Sequence, residues 1–194
     1  MSAILLLMEH DVMLSDGAHT LRPLAEADIP DLIALASRNV HEYIHMGVAP
    51  TAEVTYLHPL RAADQMPFVQ LLNGELAGCT RYLEIRPVRR SLEIGGTWLA
   101  PQFMRTGANR TFKRLLLAHA FEVMGTSRVK FKTDIRNLRS QVAIAALGAV
   151  REGVLRKDRY RLDGTARDTV VYSITDDEWP SVKARLPHTS QVER

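Results

Sequence analysis

The sequence predicts one α/β domain on a mixed, mostly antiparallel twisted sheet flanked by helices. Three observations carry this. Apolar residues recur at helical spacing near the amino terminus, alternate at strand spacing from 68 to 99, and then run strand, helix, strand from 92 to 133. With 194 residues, 46% hydrophobic and 24% charged, the chain can bury a core without disulfides or metals. The expected domain spans 21–186, with 1–20 as an N-terminal leader and 187–194 as a C-terminal tail.

In order, Ile29, Leu32, Ile33, Leu35 and Ala36 share one helical face over 26–38; Asp28 can cap that helix and Pro30 fits its first turn. A second helix is expected from Thr51, whose hydroxyl can cap it, with Pro59 kinking or splitting it. Strands over 68–72, 76–85 and 92–99 make an antiparallel meander. Asn73-Gly74 is a strong hairpin signal and Arg86-Pro87-Val88-Arg89-Arg90 a looser turn.

The next helix buries Phe112, Leu115, Leu116, His119, Ala120 and Val123 and ends at Gly125. Val129, Phe131 and Thr133 then alternate with Lys130 and Lys132, a strand that a helical crossover sets parallel to 92–99. Asn137 caps a helix over 137–147 that Gly148 ends. Strands over 149–161 and 168–174 flank Asp163-Gly164, and 176–186 is a short helix.

Composition narrows the function. The one cysteine, Cys79, allows no internal disulfide, reads as core packing and suggests a reducing compartment; cytoplasm is expected. The apolar burst from Ile4 to Met8 lacks a basic residue before it and a cleavage site after it, so no signal peptide is expected. No apolar run approaches the roughly 20 residues of a membrane span. A net charge of +3 permits attraction to phosphates without demanding a nucleic-acid partner, and the arginines gather at 81–90, 105–114 and 151–161.

The turn Arg105-Thr106-Gly107-Ala108-Asn109-Arg110 joins strand to helix. A helix start exposes unpaired N–H groups and partial positive charge, so such a turn is a ready anion site; solvated arginines around a tight turn are the alternative. It matches neither the P-loop nor the Rossmann glycine pattern. His41-Glu42-Tyr43-Ile44-His45 fits the zinc motif His-Glu-x-x-His, but Gly47 and Pro50 end any helix there within a turn or so, and no metal is expected.

Glu-Ile-Gly-Gly-Thr-Trp-Leu-Ala-Pro at 93–101, Met-Arg-Thr-Gly-Ala-Asn-Arg at 104–110, Lys-Thr-Asp-Ile-Arg-Asn-Leu-Arg-Ser at 132–140 and Leu-Gly-Ala-Val-Arg-Glu-Gly at 147–153 stand in one order. Together they resemble the GNAT superfamily of N-acetyltransferases, specifically the RimJ/RimL-type ribosomal-protein alanine acetyltransferases, over 21–186. The resemblance implies a splayed sheet that accepts acetyl-coenzyme A as cosubstrate. Pantetheine would run along Trp98, Leu99 and Ala100, and pyrophosphate would sit on the backbone of Arg105, Thr106, Gly107, Ala108, Asn109 and Arg110. Asn137 and Ser140 match the family's Asn-x-x-Ser, which touches the cosubstrate. Met104 and Asn109 depart from the family's turn pattern, a small matter where backbone N–H groups bind.

The resemblance also implies direct attack of a primary amine on the thioester through a tetrahedral intermediate, without a covalent enzyme intermediate. Glu93 is the candidate base, with pairing to Arg81 as its structural alternative. Tyr160 is the candidate acid, with Tyr172 and water as competitors. His119 reads as a core histidine. The acceptor is expected to be a protein N-terminus or a small-molecule amine, and a homodimer is expected. The rival readings are an acetyl-coenzyme A sensor and a basic nucleic-acid or ribosome-binding module.

Overall fold

Eight strands hydrogen-bond into one sheet in the computed structural model, which describes residues 10–38, 43, 49–161 and 163–186. They are β1 (Leu14–Ser15), β2 (His19–Pro23), β3 (Met66–Leu72), β4 (Glu75–Arg86), β5 (Ser91–Leu99), β6 (Arg128–Asp134), β7 (Val150–Tyr160) and β8 (Ala166–Thr175), in the spatial order β1-β2-β3-β4-β5-β6-β8-β7. Every neighbouring pair is antiparallel except β5 with β6. The helices are α1 (Ile29–Ser37), α2 (Val54–Arg61), α3 (Ala108–Ala118), α4 (Leu138–Ala145) and α5 (Trp179–Arg185).

Strand alternation assigns side chains to two faces. Tyr82, Leu92, Ile94, Val129, Phe131, Val170 and Ile174 join Phe112, Leu116 and Leu117 of α3 in the larger core. On the other face Val69, Cys79 and Trp98 pack with Leu32 and Ala36 of α1 and Tyr56 of α2. The α1/α2 layer therefore lies over β3 to β5 on one face, while α3 on the other face reaches back to β1 and β2. The Tyr82 hydroxyl donates to the Leu116 carbonyl at 2.6 Å and lies 3.3 Å from His119 Nδ1, so His119 is a partnered histidine at the core edge.

The structure departs from the sequence reading in four places. The sheet begins before Leu21, because Leu14 and Ser15 pair with Leu21 and Thr20 and draw part of the expected leader into its edge. Asp28 does not cap α1 through its side chain; its carboxylate takes Arg22 at 2.6 and 2.8 Å and the Ala25 N–H at 2.9 Å. α2 starts at Val54 rather than Thr51 and carries Pro59, buried, in its last turn without splitting. After Ala118 the backbone relaxes into a π-helical turn over His119–Val123. A π turn inserts extra rotation, so Phe121 turns inward (9% exposed) and Val123, expected on the buried stripe, is 73% exposed.

Candidate active site

The parallel pairing of β5 with β6 lasts three residues, Ser91 with Arg128, Leu92 with Val129 and Glu93 with Lys130. Beyond Glu93 the strands part. β5 continues to Leu99 paired only with β4, and β6 continues to Asp134 paired only with β8. This leaves a wedge-shaped cleft whose β5 wall is a strand edge, the kind of edge to which an extended amide-bearing chain can add. The Leu99 carbonyl already accepts the Tyr43 hydroxyl at 3.2 Å, so an added chain would use other groups of that wall. Trp98, Leu99 and Ala100 are all buried as side chains and can offer only backbone to the cleft.

Glu93 sits where the strands part. It is 4% exposed, and its carboxylate lies 2.9 Å from Lys132 Nζ, so the expected partner Arg81 is replaced by a lysine from across the cleft. Burial raises the Glu93 pKa, with Lys132 opposing. Lys132 also holds Glu84 at 2.8 Å, and Lys130 holds it at 2.6 Å. Burial disfavours the Glu84 charge, but these two ammonium groups hold its pKa to about 2. Both glutamates raise the Lys132 pKa against the effect of its burial, keeping that lysine charged.

Two glycines make room for these groups. A Cβ at Gly95 would stand 3.0 Å from Leu83 and 3.2 Å from Glu93 Oε1, and one at Gly96 would stand 2.8 Å from Arg81 Cζ. Gly96 has φ +58°, and the register between Cys79/Trp98 and Arg81/Gly95 slips there by one residue. The Arg81 guanidinium thus lies against bare β5 backbone.

The turn before α3 presents the donors expected of it. Arg105 adopts φ 61° and Gly107 φ 90°, left-handed positions flanking Thr106. The N–H groups of Arg105, Thr106 and Gly107 find no partner among the described residues. Thr106 folds its hydroxyl inward, donating to the Phe103 carbonyl at 2.8 Å and accepting the Ala108 N–H at 3.3 Å. A Cβ at Gly107 would meet nothing within 4 Å, so the space beside it is open. Asn109 keeps a buried Oδ1 without a partner among the described residues. Arg110 turns to the Arg185 carbonyl of α5 at 3.1 Å, and both Arg105 and Arg110 are exposed.

Across the cleft, Asn137 caps α4 by accepting the Ser140 N–H at 3.0 Å, while the Ser140 hydroxyl has no partner among the described residues. Tyr160 ends β7 opposite Ala166 and is 70% exposed. Its partner Ala166 shares, by alternation along β8, the side of Val170, Tyr172 and Ile174, which face the larger core, so Tyr160 lies on the face opposite Glu93. Tyr172 is buried on that same face, its hydroxyl 3.5 Å from Gln141 Oε1. Burial pushes the Cys79 thiol up to about 12, which makes it inert packing. The His-Glu-x-x-His motif lies outside the described residues apart from Tyr43, a core aromatic packed edge-on to Trp98. Among the described residues no helix is long and apolar enough to cross a membrane.

A family model for the acetyltransferase (GNAT) domain matches residues 19–150. The chain belongs to the GNAT acetyltransferases. It is thus an acetyltransferase, and acetyl-coenzyme A is the acetyl donor that these enzymes use. No curated protein matches it. Among solved structures it is similar to a T. thermophilus protein assigned as an acetyltransferase, at 41% identity and TM-score 0.81, covering 96% of this chain and 97% of that one. A GCN5-related N-acetyltransferase from Brucella melitensis shares 24% identity at TM-score 0.83, covering 90% and 83%. Mycobacterium smegmatis RimJ, solved with a coenzyme A disulfide, shares 23% identity at TM-score 0.77, covering 91% and 93%. The last two likenesses show the fold. The unpaired β5 edge and the donor-rich turn fit the amide-bearing arm and the pyrophosphate of acetyl-coenzyme A.

Proposed function

We propose that this protein transfers the acetyl group of acetyl-coenzyme A to a primary amine, with a protein N-terminus as one candidate acceptor. The observation that carries the reading is Glu93, a buried carboxylate of raised pKa placed where the cleft begins, with Lys132 compensating its charge. The β5 edge at Trp98, Leu99 and Ala100 binds the amide-bearing arm. The turn from Arg105 to Arg110 binds the pyrophosphate through backbone N–H groups, and Asn137 and Ser140 close the opposite wall.

Acetyl-coenzyme A supplies an activated thioester. The neutral amine forms a C–N bond to its carbonyl carbon and the C–S bond breaks. Glu93 collects the amine proton directly or through water, and the departing thiolate takes a proton from the other face of the cleft. Tyr160 is the proposed donor there, with Tyr172 on the same face as its competitor. Unpaired N–H groups of β5 beyond Glu93 are the donors available to the developing oxyanion. A cytoplasmic homodimer belongs to this reading. Its support is the edge strand β7, which exposes Val150, Leu155 and Tyr160 at 51%, 45% and 70%.

Thiol release measured with a panel of amines tests the proposal. Glu93→Gln should lower kcat/KM about 10²-fold or more at neutral pH while acetyl-coenzyme A affinity stays unchanged. The wild-type rate should rise with pH through a pKa above the ordinary glutamate value. A Glu93→Gln enzyme with the wild-type rate across pH would remove Glu93 from the mechanism.

A further inference from the structure

On the Glu93 face three arginines come from three strands: Arg81 of β4, beside Thr55 of α2, Arg159 of β7 and Arg167 of β8. Arg159 pairs with Arg167 across the β7/β8 ladder and so shares its face. Arg81 lies opposite Gly95, two residues along β5 from Glu93, so it shares the Glu93 face on the β5 side of the cleft, while Arg159 and Arg167 stand on that face on the β6 side. The three therefore share the Glu93 face and flank the cleft from its two sides.

Their partners do not neutralise them. Arg167 is 7% exposed, its Nε is buried without a hydrogen-bond partner, and no carboxylate lies within ion-pair distance of it among the described residues. Arg81 likewise keeps a buried, unpartnered Nε, and its long contact to the Thr55 carbonyl, 3.4 Å, involves Nη1. Among the described residues Arg159 touches only the carboxylate of its neighbour Asp158, at 3.5 Å. The nearby Asp134 is already held by Arg161 at 2.6 and 2.8 Å. Thr169, next inward on the same face of β8, has a buried Oγ1 without a partner among the described residues. Burial lowers the pKa of Arg81 and Arg167, and Arg159 lowers both further, against the opposing influence of Glu93 on Arg81 and of Asp134 and Asp158 on Arg167. A desolvated guanidinium without a counter-charge is costly, and a ligand carboxylate can satisfy it through paired N–H donors.

Resting on the acetyl-transfer reading, we infer that Arg81, Arg159 and Arg167 form an anion subsite of the acceptor pocket, so that the preferred acceptor is an amine carrying a carboxylate or phosphate a few bonds from its nitrogen. Glu93 then faces the ammonium end of the acceptor and the arginines its anionic end. Gly96 is part of this subsite, because its missing Cβ lets the Arg81 guanidinium lie against β5.

The test compares matched acceptors: alanine against alaninamide, and a tetrapeptide amide with glutamate second against the same peptide with glutamine. The charged member of at least one pair should have kcat/KM about tenfold higher or more. The pair that discriminates tells whether the anion is an α-carboxylate or an acidic side chain. Arg159→Gln, at an exposed position that should leave folding intact, should reduce the preference to about threefold or less through acceptor KM, with acetyl-coenzyme A affinity unchanged. Arg167→Gln should do the same if folded, as judged by circular dichroism. Acetylation of charged and neutral members at equal rates would overturn the subsite and leave the acetyl-transfer reading standing. Loss of acetyl-coenzyme A affinity in Arg159→Gln would show that the arginines serve the donor, which also overturns it. If no acceptor turns over, the same pairs are compared as ligands of the coenzyme A complex by thermal shift. A preference for the charged member there sustains the subsite while the transfer reading fails; no preference overturns it.

Discussion

Lys113, a buried cation of α3, should make the protein less stable as pH falls from 10 to 7. It is 6% exposed, and its Nζ donates to Thr97 Oγ1 at 2.5 Å and to Thr80 Oγ1 at 3.3 Å, with no carboxylate beside it among the described residues. Burial lowers its pKa from 10.5 to about 7. At 1.36 kcal/mol per unit, that corresponds to about 5 kcal/mol against the charged form. Because the folded-state pKa is depressed, the unfolded chain binds the extra proton between 7 and 10.5. Stability from this residue is complete above about 10.5, falls through that window, and is flat below about 7. Lys113→Met keeps the apolar stem and removes the ionisable end, while Thr80 and Thr97 retain their mutual 2.7 Å hydrogen bond. Set against about 1–3 kcal/mol for the lost hydrogen bonds, the variant should be about 2–3 kcal/mol more stable than wild type at pH 6–7. That gap should shrink by about 1 kcal/mol per unit as pH rises toward 10. Urea unfolding of both proteins from pH 6 to 10 measures it. A gap independent of pH, or a variant less stable at pH 6, refutes the reasoning.

Gly107→Glu should cost about 1–2 kcal/mol for a side chain at φ 90°, yet abolish acetyl-coenzyme A binding by placing a carboxylate in the open space beside the turn; calorimetric titration checks it. Asn137→Ala removes the cap of α4 and should cost about 1 kcal/mol, a drop of about 2–4 °C in Tm by calorimetry, with acetyl-coenzyme A affinity reduced as well. Cys79 should resist iodoacetamide in the native protein at pH 8 and react after urea unfolding, as mass spectrometry would show.

Sequence periodicity revealed most of the sheet because its signals are local. Asn73-Gly74 marks the β3/β4 hairpin, and the alternation from Val129 to Thr133 and the apolar stripe from Phe112 to Ala120 mark the crossover unit. The amino-terminal edge was hidden because two paired residues in β1 and five in β2, ending in a proline, are too few for a pattern. The π turn at His119–Val123 was hidden because the sequence continues to read as a regular helix. In the site, the strand position of Glu93 was legible and its surroundings were not. Its partner Lys132 comes from another strand through the parallel register, and its burial depends on Gly95 leaving space. Arg81 and Arg159 stood in visible clusters along the chain and Arg167 did not; only the pairing of β7 with β8 sets Arg159 opposite Arg167 on the Glu93 face.

The cleft opening at Glu93 should bind acetyl-coenzyme A through the β5 edge and the turn at Arg105–Arg110. A thermal melt with and without acetyl-coenzyme A, at low and high salt and with duplex DNA as the polyanion control, tests it most directly. At about a hundred times its dissociation constant the ligand should add roughly 2.7 kcal/mol, a shift of several degrees that persists in salt and that DNA does not reproduce. No shift, or one that DNA matches and salt erases, would contradict the account and mean that the basic turn attracts phosphate without building a site.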